Sequence, residues 1–194
     1  KKFNKGKESE IKISLGVNLD KIKKDDGGYF LGVLKNNKKQ GLFKVFNDKD
    51  VHINYYYFNK DTLMYEGNFD SLNRKNGKWI NYWPNGNKKS IGKYIGDKKE
   101  KEWIYFYKSG KIQQKGTYIK NKPNGLWEWW YEKGTKRRRE EYLNGKENGF
   151  VIEYDTIGEI ITKGEYFYGE REGEWLYLIN DYKEKGEYIG GMKT

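Results

Sequence analysis

Four consecutive basic residues form the densest charged run in the chain, Lys136-Arg137-Arg138-Arg139. A guanidinium group matches the geometry of phosphates and carboxylates, so the run predicts an anion-binding patch for a phospholipid, RNA or an acidic protein. On a strand, alternation would place Lys136 and Arg138 on one face and Arg137 and Arg139 on the other. The alternative interpretation is an exposed strand whose charges are balanced by acidic neighbours.

The densest aromatic group comes just before this run and comprises Trp127, Trp129, Trp130 and Tyr131. Such rings can form a flat platform for a sugar ring, a base or a partner's side chain. Alternation predicts Trp127, Trp129 and Tyr131 on one face and Trp130 on the other. The alternative is an ordinary stack of rings that holds the fold together. We expect Trp129, which replaces Asn81 and Glu153 of other units, to be an exposed contact.

Residues that typically carry catalysis are sparse. The chain has no cysteine and one histidine, His52, so a thiol nucleophile and a two-histidine metal motif are both excluded. No glycine-rich loop ends in Lys-Ser or Lys-Thr, and no G-x-S-x-G turn exists. We therefore expect a protein that is not an enzyme and that has no cofactor and no metal.

A repeat with a 24-residue step positions both candidate groups. The first residues of five successive units are Gly77, Lys101, Gly125, Gly149 and Gly173. Two positions further on, the units carry Trp79, Trp103, Trp127, Val151 and Trp175. A period in this range indicates an array of small structural units rather than a compact globule with one catalytic cleft.

Each unit reads as two short strands around a turn. In the first unit, Pro84-Asn85-Gly86 separates two runs of aromatic and β-branched residues, which is typical of a β-hairpin. Gly92 and Tyr94 share a face, so we expect an aromatic ring of the neighbouring strand to lie over the bare glycine. Glu140 replaces this glycine in the third unit and predicts a local irregularity there.

The pattern weakens upstream, which predicts three regions. Residues 1–40 are expected to form a terminal cap that includes a strand with alternating apolar residues, Ile11 to Leu19. Residues 41–76 resemble a degenerate unit with about one extra strand, which we place at Val51–Phe58. Residues 77–194 contain the five tandem units.

The spacing of Gly125, Trp127, Trp130 and the Asn144-Gly145 turn resembles the MORN repeat, in the form common in bacterial proteins. The resemblance implies an all-β fold, an elongated single-layer twisted antiparallel sheet built from tandem β-hairpins. It also implies lipid contact, protein scaffolding or dimer formation, and sometimes an antitoxin-like role, rather than an activity.

The net charge of +11 is spread along the chain rather than concentrated in a tail. We expect a protein-protein interaction or scaffolding module whose partner is another protein. The alternatives are a binder of anionic membrane lipid or, less favoured, nucleic acid, and a carbohydrate binder acting through exposed aromatic rings. Pairing of sheet edges into a homodimer is also expected to be feasible. The compartment is left open between the bacterial cytoplasm and export with a signal peptide removed, since the chain begins at Lys1.

Overall fold

A computed structural model describes residues 19–179 and 182–194. This part of the chain contains strands and turns and no helix. The strands are β1 (Asp20–Lys23), β2 (Tyr29–Gly32), β3 (Leu34–Lys35), β4 (Lys38–Lys39), β5 (Gly41–Phe46), β6 (His52–Asn59), β7 (Thr62–Phe69), β8 (Lys75–Tyr82), β9 (Lys88–Ile95), β10 (Lys98–Phe106), β11 (Ile112–Ile119), β12 (Lys122–Trp130), β13 (Lys136–Leu143), β14 (Lys146–Tyr154), β15 (Ile160–Phe167), β16 (Glu170–Ile179), β17 (Tyr182–Ile189) and β18 (Met192–Lys193).

Sixteen of these strands form one antiparallel sheet in which each strand pairs with its neighbours along the chain, and β1 and β18 lie at the two edges. The remaining two strands, β3 and β4, form a small separate hairpin between β2 and β5. The predicted all-β, single-layer hairpin array is therefore confirmed. At about 4.8 Å per strand, sixteen strands extend over roughly 70 Å. Five or six hairpins alone would extend over roughly 50–60 Å, and the sheet is longer because the N-terminal strands join it.

Two kinds of turn alternate along the five units. Two-residue turns at one edge have positive φ at both residues, as in Gly96-Asp97 and Asn144-Gly145, which is the type I′ geometry that suits the twist of a hairpin. Five-residue turns such as Trp83–Asn87 lie at the opposite edge and are closed by backbone hydrogen bonds. We call these two sides of the sheet, where the strand ends are joined by turns, the turn edge and the tip edge. They are distinct from the outer strands β1 and β18.

A row of aromatic rings fills one face of the sheet. Trp103 lies over Gly92, where a Cβ atom would overlap the indole ring, and Trp127 covers Gly116 in the same way. The row consists of Trp79, Tyr94, Trp103, Tyr118, Trp127 and Tyr142, and then Tyr166, Trp175 and Tyr188, with neighbouring ring centroids 4.9–6.3 Å apart. This ring row replaces the two-layer core of an ordinary domain, because each ring can bury about 150–250 Å². The predicted packing of rings on glycines is confirmed.

The first residue of each unit adopts a left-handed backbone conformation. Glycine occupies this place at Gly77, Gly125, Gly149 and Gly173, and Lys101 occupies it in the second unit with φ 61°. The register between β9 and β10 shifts between Glu100 and Ile104. The positive φ explains why four of the five units begin with glycine.

In the N-terminal region rings also cover glycines, but an extra strand separates the two covered glycines. Phe43 covers Gly32, and Trp79 covers Gly67. Residues 41–74 form three strands, β5 to β7, where a regular unit would have two, so the predicted extra strand is confirmed and β6 lies at the predicted segment. The strand predicted over Ile11 to Leu19 lies outside the described residues, except for Leu19 itself, which precedes β1.

Candidate functional site

The ring row is interrupted once within the described units, at β13 and β14. Where the glycine of one unit elsewhere meets a tryptophan of the next unit, eleven residues later, this place has Glu140 of the third unit and Val151 of the fourth, which are direct backbone partners. The irregularity predicted at Glu140 thus involves two positions, not one. The Glu140 side chain takes the space that an indole ring fills elsewhere and is only 2% exposed. We call this place the unit-four gap, defined by Glu140, Val151 and the groups that contact Glu140.

The buried carboxylate is held by two neighbours on β13. Arg138 forms an ion pair with Glu140 through Nη2, and its Nη1 donates a hydrogen bond of 2.7 Å to Glu153. The Tyr142 hydroxyl donates to the other oxygen of Glu140 at 2.6 Å. In the described part of the chain, the buried Nε of Arg138 has no hydrogen-bond partner. Arg138, Glu140 and Glu153 are therefore held together by direct contacts.

The titration behaviour of the two partners follows from this contact set. Burial, together with the hydrogen bond to Glu140, raises the pKa of Tyr142 well above its ordinary value. Burial alone would lower the pKa of Arg138, but the hydrogen bond and the charge of Glu140 outweigh it, and the pKa is raised. Tyr142 therefore stays a neutral donor and Arg138 stays charged across the physiological range.

A cavity of about 430 Å³ lies beside Glu140 and Arg138. Its lining includes Gln114 and Trp129 on one side of Arg138 and Glu147 and Glu153 on the other. A cleft of this size lies in the range typical of small-molecule sites, about 300–1,000 Å³.

Glu147 also reverses a charge that recurs along the array. At the equivalent place, Lys75, Lys99 and Arg171 each put a cation 4.6–4.8 Å from the centroid of the tryptophan four residues later. Glu147 is followed four residues later by Val151, so this unit has lost both the cation and the ring. The gap therefore lacks the tryptophan on a bare glycine that the other units have, and it lacks the cation found in three of them, while the unit of Trp127 has Pro123 at that place.

The basic run is divided between the two faces in a way that simple alternation did not predict. Arg137 is the extra residue of a β-bulge, since Trp129 pairs with Arg138 and Trp130 pairs with Lys136. Lys136 consequently lies on the same face as Arg139, and both contact Glu128 on the face opposite the ring row, at 2.6 and 3.8 Å. The predicted grouping of Lys136 with Arg138, and of Arg137 with Arg139, was therefore wrong.

Most of the run is paired with carboxylates. Glu128 also binds Lys115 at 3.3 Å, so it has three cations around it, and Arg138 is held by Glu140 and Glu153. Arg137 is exposed and lies with its guanidinium carbon 5.9 Å from the centre of the Tyr131 ring. Most of the positive charge of the basic run is thus balanced by carboxylates of the same sheet.

The aromatic group is distributed mostly as alternation predicted. Trp127 is buried in the ring row, and Trp129 packs beside it at 5.9 Å. Trp130 lies on the other face, between Lys115 and Lys136. The Tyr131 hydroxyl donates to the carbonyl of Tyr154. Trp129 is half-buried, as are Trp130 and Tyr131, and is not the exposed contact that we expected.

Sequence reasoning noticed Glu140 and Val151 separately and did not connect them, and it missed Glu147, Glu153 and Tyr142. The connecting signal was the constant eleven-residue spacing between each glycine and its covering ring, as in Gly92 and Trp103. Across residues 19–179 and 182–194, no group of three acidic, histidine or cysteine side chains is arranged to hold a metal ion. These same residues include no helix that is long and apolar enough to cross a membrane.

No family model matches the chain, and no curated protein matches it in sequence. The resemblance to the MORN repeat therefore stays a prediction. Among solved structures, a GtfA/B complex bound to UDP and GlcNAc is 14% identical over 58% of this chain and 22% of that chain, with a TM-score of 0.24. TarM is 14% identical over 94% of this chain and 24% of that chain, with a TM-score of 0.21.

A mutant of S. aureus TarM in complex with fondaparinux, α-GlcNAc-glycerol and UDP has the same identity and coverage as TarM, with a TM-score of 0.19. This chain thus spans about a quarter of the length of those chains or less. At such TM-scores the similarity carries no argument about this protein.

Proposed function

We propose that this protein is a non-catalytic interaction module that binds another protein along the turn edge of its sheet. The observation that carries the proposal is a periodic row of exposed apolar side chains at this edge. The row consists of Ile95, Ile119, Leu143, Phe167 and Ile189, which are 36–62% exposed. We call it the turn-edge row.

The turn-edge row lies on the face opposite the ring row. Each of its residues directly follows a tyrosine of the ring row, as Ile119 follows Tyr118, and successive residues of a strand point to opposite faces. Adjacent members are two strands apart, about 10 Å, so five members extend over roughly 40 Å. Leu126 and Phe150, on the same face, add apolar surface in the third and fourth units.

A row of this kind favours a partner protein over the alternative ligands. Scattered exposed apolar residues are normal on a protein surface, but contiguous apolar surface marks an interaction site. A phosphate-rich ligand of the basic run would require free cations there, whereas Lys136, Arg138 and Arg139 have carboxylate partners. The basic run therefore gives little support to the anionic-lipid and nucleic-acid alternatives.

The proposal is tested by capture of partners with two matched variants. Replacing Ile119, Leu143 and Phe167 by threonine keeps β-branched or strand-compatible residues and removes most of the apolar surface. The control replaces Leu72 and Ile157, which are equally apolar and 68% and 78% exposed but lie in five-residue turns. We expect the native chain and the control to retain one protein at high salt, and the row variant to lose it.

High salt removes complexes held by phosphate contacts, because such binding falls steeply with ionic strength. Retention of the same partner by the row variant would contradict the proposal. So would a native chain that retains only lipid or nucleic acid, and only at low salt.

A further inference from the structure

We propose that the unit-four gap is a binding site for a neutral, hydroxyl-rich ligand, namely a saccharide ring. This proposal does not depend on the protein-binding function, since the gap and the turn-edge row lie on opposite faces of the sheet. Its basis is the set of substitutions by which β13 and β14 depart from the repeat.

The first argument is energetic. An array that needed only stability would place glycine and tryptophan at Glu140 and Val151, as the other units do. Burying a carboxylate with an arginine is seldom more stabilising than well-packed apolar groups, because both charges lose their hydration. Local rules of a fold are most often broken where function requires it. The gap therefore points to a use other than holding the sheet together.

The second argument concerns the polar groups. Arg138 links Glu140 and Glu153 into one set, and the second carboxylate oxygen of the partly exposed Glu153 is left as an acceptor. The amide of Gln114 adds an NH2 donor group and a carbonyl acceptor beside Trp129. Fixed donors and acceptors that alternate over a short distance match the hydroxyl groups of a sugar, each of which can donate and accept.

The third argument concerns charge and ring surface. The lining carries two guanidinium groups, those of Arg137 and Arg138, and three carboxylates, those of Glu140, Glu147 and Glu153, so the site has no net positive charge to attract a phosphate. Half-buried Trp129 and Tyr107 contribute aromatic surface at the tip side of the cavity. Aromatic surface next to planar polar side chains, in an open cavity of about 430 Å³, suits a single sugar ring.

Saturation-transfer NMR on the full chain tests the proposal, because it detects the weak binding expected of an open site. The probes are glucose, galactose, mannose, N-acetylglucosamine and the trisaccharides of glucose and of N-acetylglucosamine, with spermidine as a cationic comparison. We expect saturation transfer to at least one sugar, little changed by 1 M salt. We expect the saturation transfer to fall at least tenfold in the double variant Glu140→Gly/Val151→Trp, in which the ring that other units use replaces the Glu140 side chain.

A second pair of variants guards against a folding artefact. Trp129→Ala removes a ring at the gap, and Tyr177→Ala removes the equivalent ring that packs on Trp175 at 6.1 Å. We expect the first to abolish transfer and the second to leave it unchanged. Transfer to none of the sugars, undiminished transfer in the filled double variant, equal losses in the two alanine variants, or tighter binding of spermidine than of every sugar would each overturn the proposal.

Discussion

Restoring the repeat at the unit-four gap is expected to reveal strong coupling between two positions. Val151→Trp alone would force an indole ring into the space of the Glu140 side chain, which is 2% exposed. Glu140→Gly alone would remove a partner of Arg138 and leave a void against Val151. The double variant would place a ring on a bare glycine, as Trp127 lies on Gly116.

The magnitudes follow from these contacts. Overpacking costs about 1–3 kcal/mol, and loss of the ion pair adds to it, so we expect Val151→Trp to destabilise by about 3 kcal/mol. Removing one partner of a buried pair costs about 3–5 kcal/mol. Because Arg138 is 31% exposed, we expect the lower end of this range for Glu140→Gly. In the double variant, about 100 Å² of additional apolar burial returns roughly 2–3 kcal/mol.

The double variant should therefore lie within about 1 kcal/mol of the native chain, which corresponds to a coupling energy of about 5 kcal/mol, above the usual range of about 0.5–3 kcal/mol. Urea unfolding followed by far-ultraviolet circular dichroism measures all four members of the cycle. Free energies that add to within about 0.5 kcal/mol would refute the view that Glu140 occupies the place of a ring.

Three further changes probe separate features of the sheet. Gly116→Ala places a Cβ against the ring of Trp127 and should lower the unfolding free energy by about 1–3 kcal/mol in the same urea assay, whereas an unchanged midpoint would contradict the packing. Lys101→Gly should raise it by roughly 1 kcal/mol, since a left-handed conformation costs a non-glycine residue about 1–2 kcal/mol; a loss of stability would show that the Lys101 side chain matters more. Burial alone would raise the pKa of Glu128, but hydrogen bonds and charges from Lys136 and Lys115 outweigh burial and lower the pKa below its ordinary value of 4.5. The stability that the ionised Glu128 contributes is therefore present above pH 4.5 and is lost as the pH falls through the lowered pKa. Glu128→Gln should therefore make thermal stability less dependent on pH between about 5 and 2, and an identical acid slope would argue against this ion-pair cluster.

The period of the sequence predicted the sheet because neighbouring units repeat the same contacts. Once Gly92 and Trp103 are known to share a face, every later glycine and tryptophan at the same spacing follows. The faces of the basic run were mispredicted because Arg137 is a bulge residue, which places Lys136 on the same face as Arg139. The residue types at this place did not predict a bulge.

The candidate site was only partly predictable for a different reason. Glu140 and Val151 are each ordinary residues for a strand. Their joint departure from the repeat is apparent only when β13 and β14 are known to pair with Glu140 opposite Val151. The turn-edge row could be recognised as apolar residues at each hairpin end, but its exposure depends on the opposite face carrying the ring row.

Site-specific photocrosslinking tests the central claim, that a partner protein binds along the turn-edge row. A photoreactive phenylalanine analogue is placed separately at Leu143 in the row, at Tyr105 in the ring face and at Ile157 in a five-residue turn. The account predicts one crosslinked protein from the Leu143 position that persists at high salt, with no such product from Tyr105 or Ile157. The same product from Tyr105 or Ile157, with none from Leu143, would contradict it.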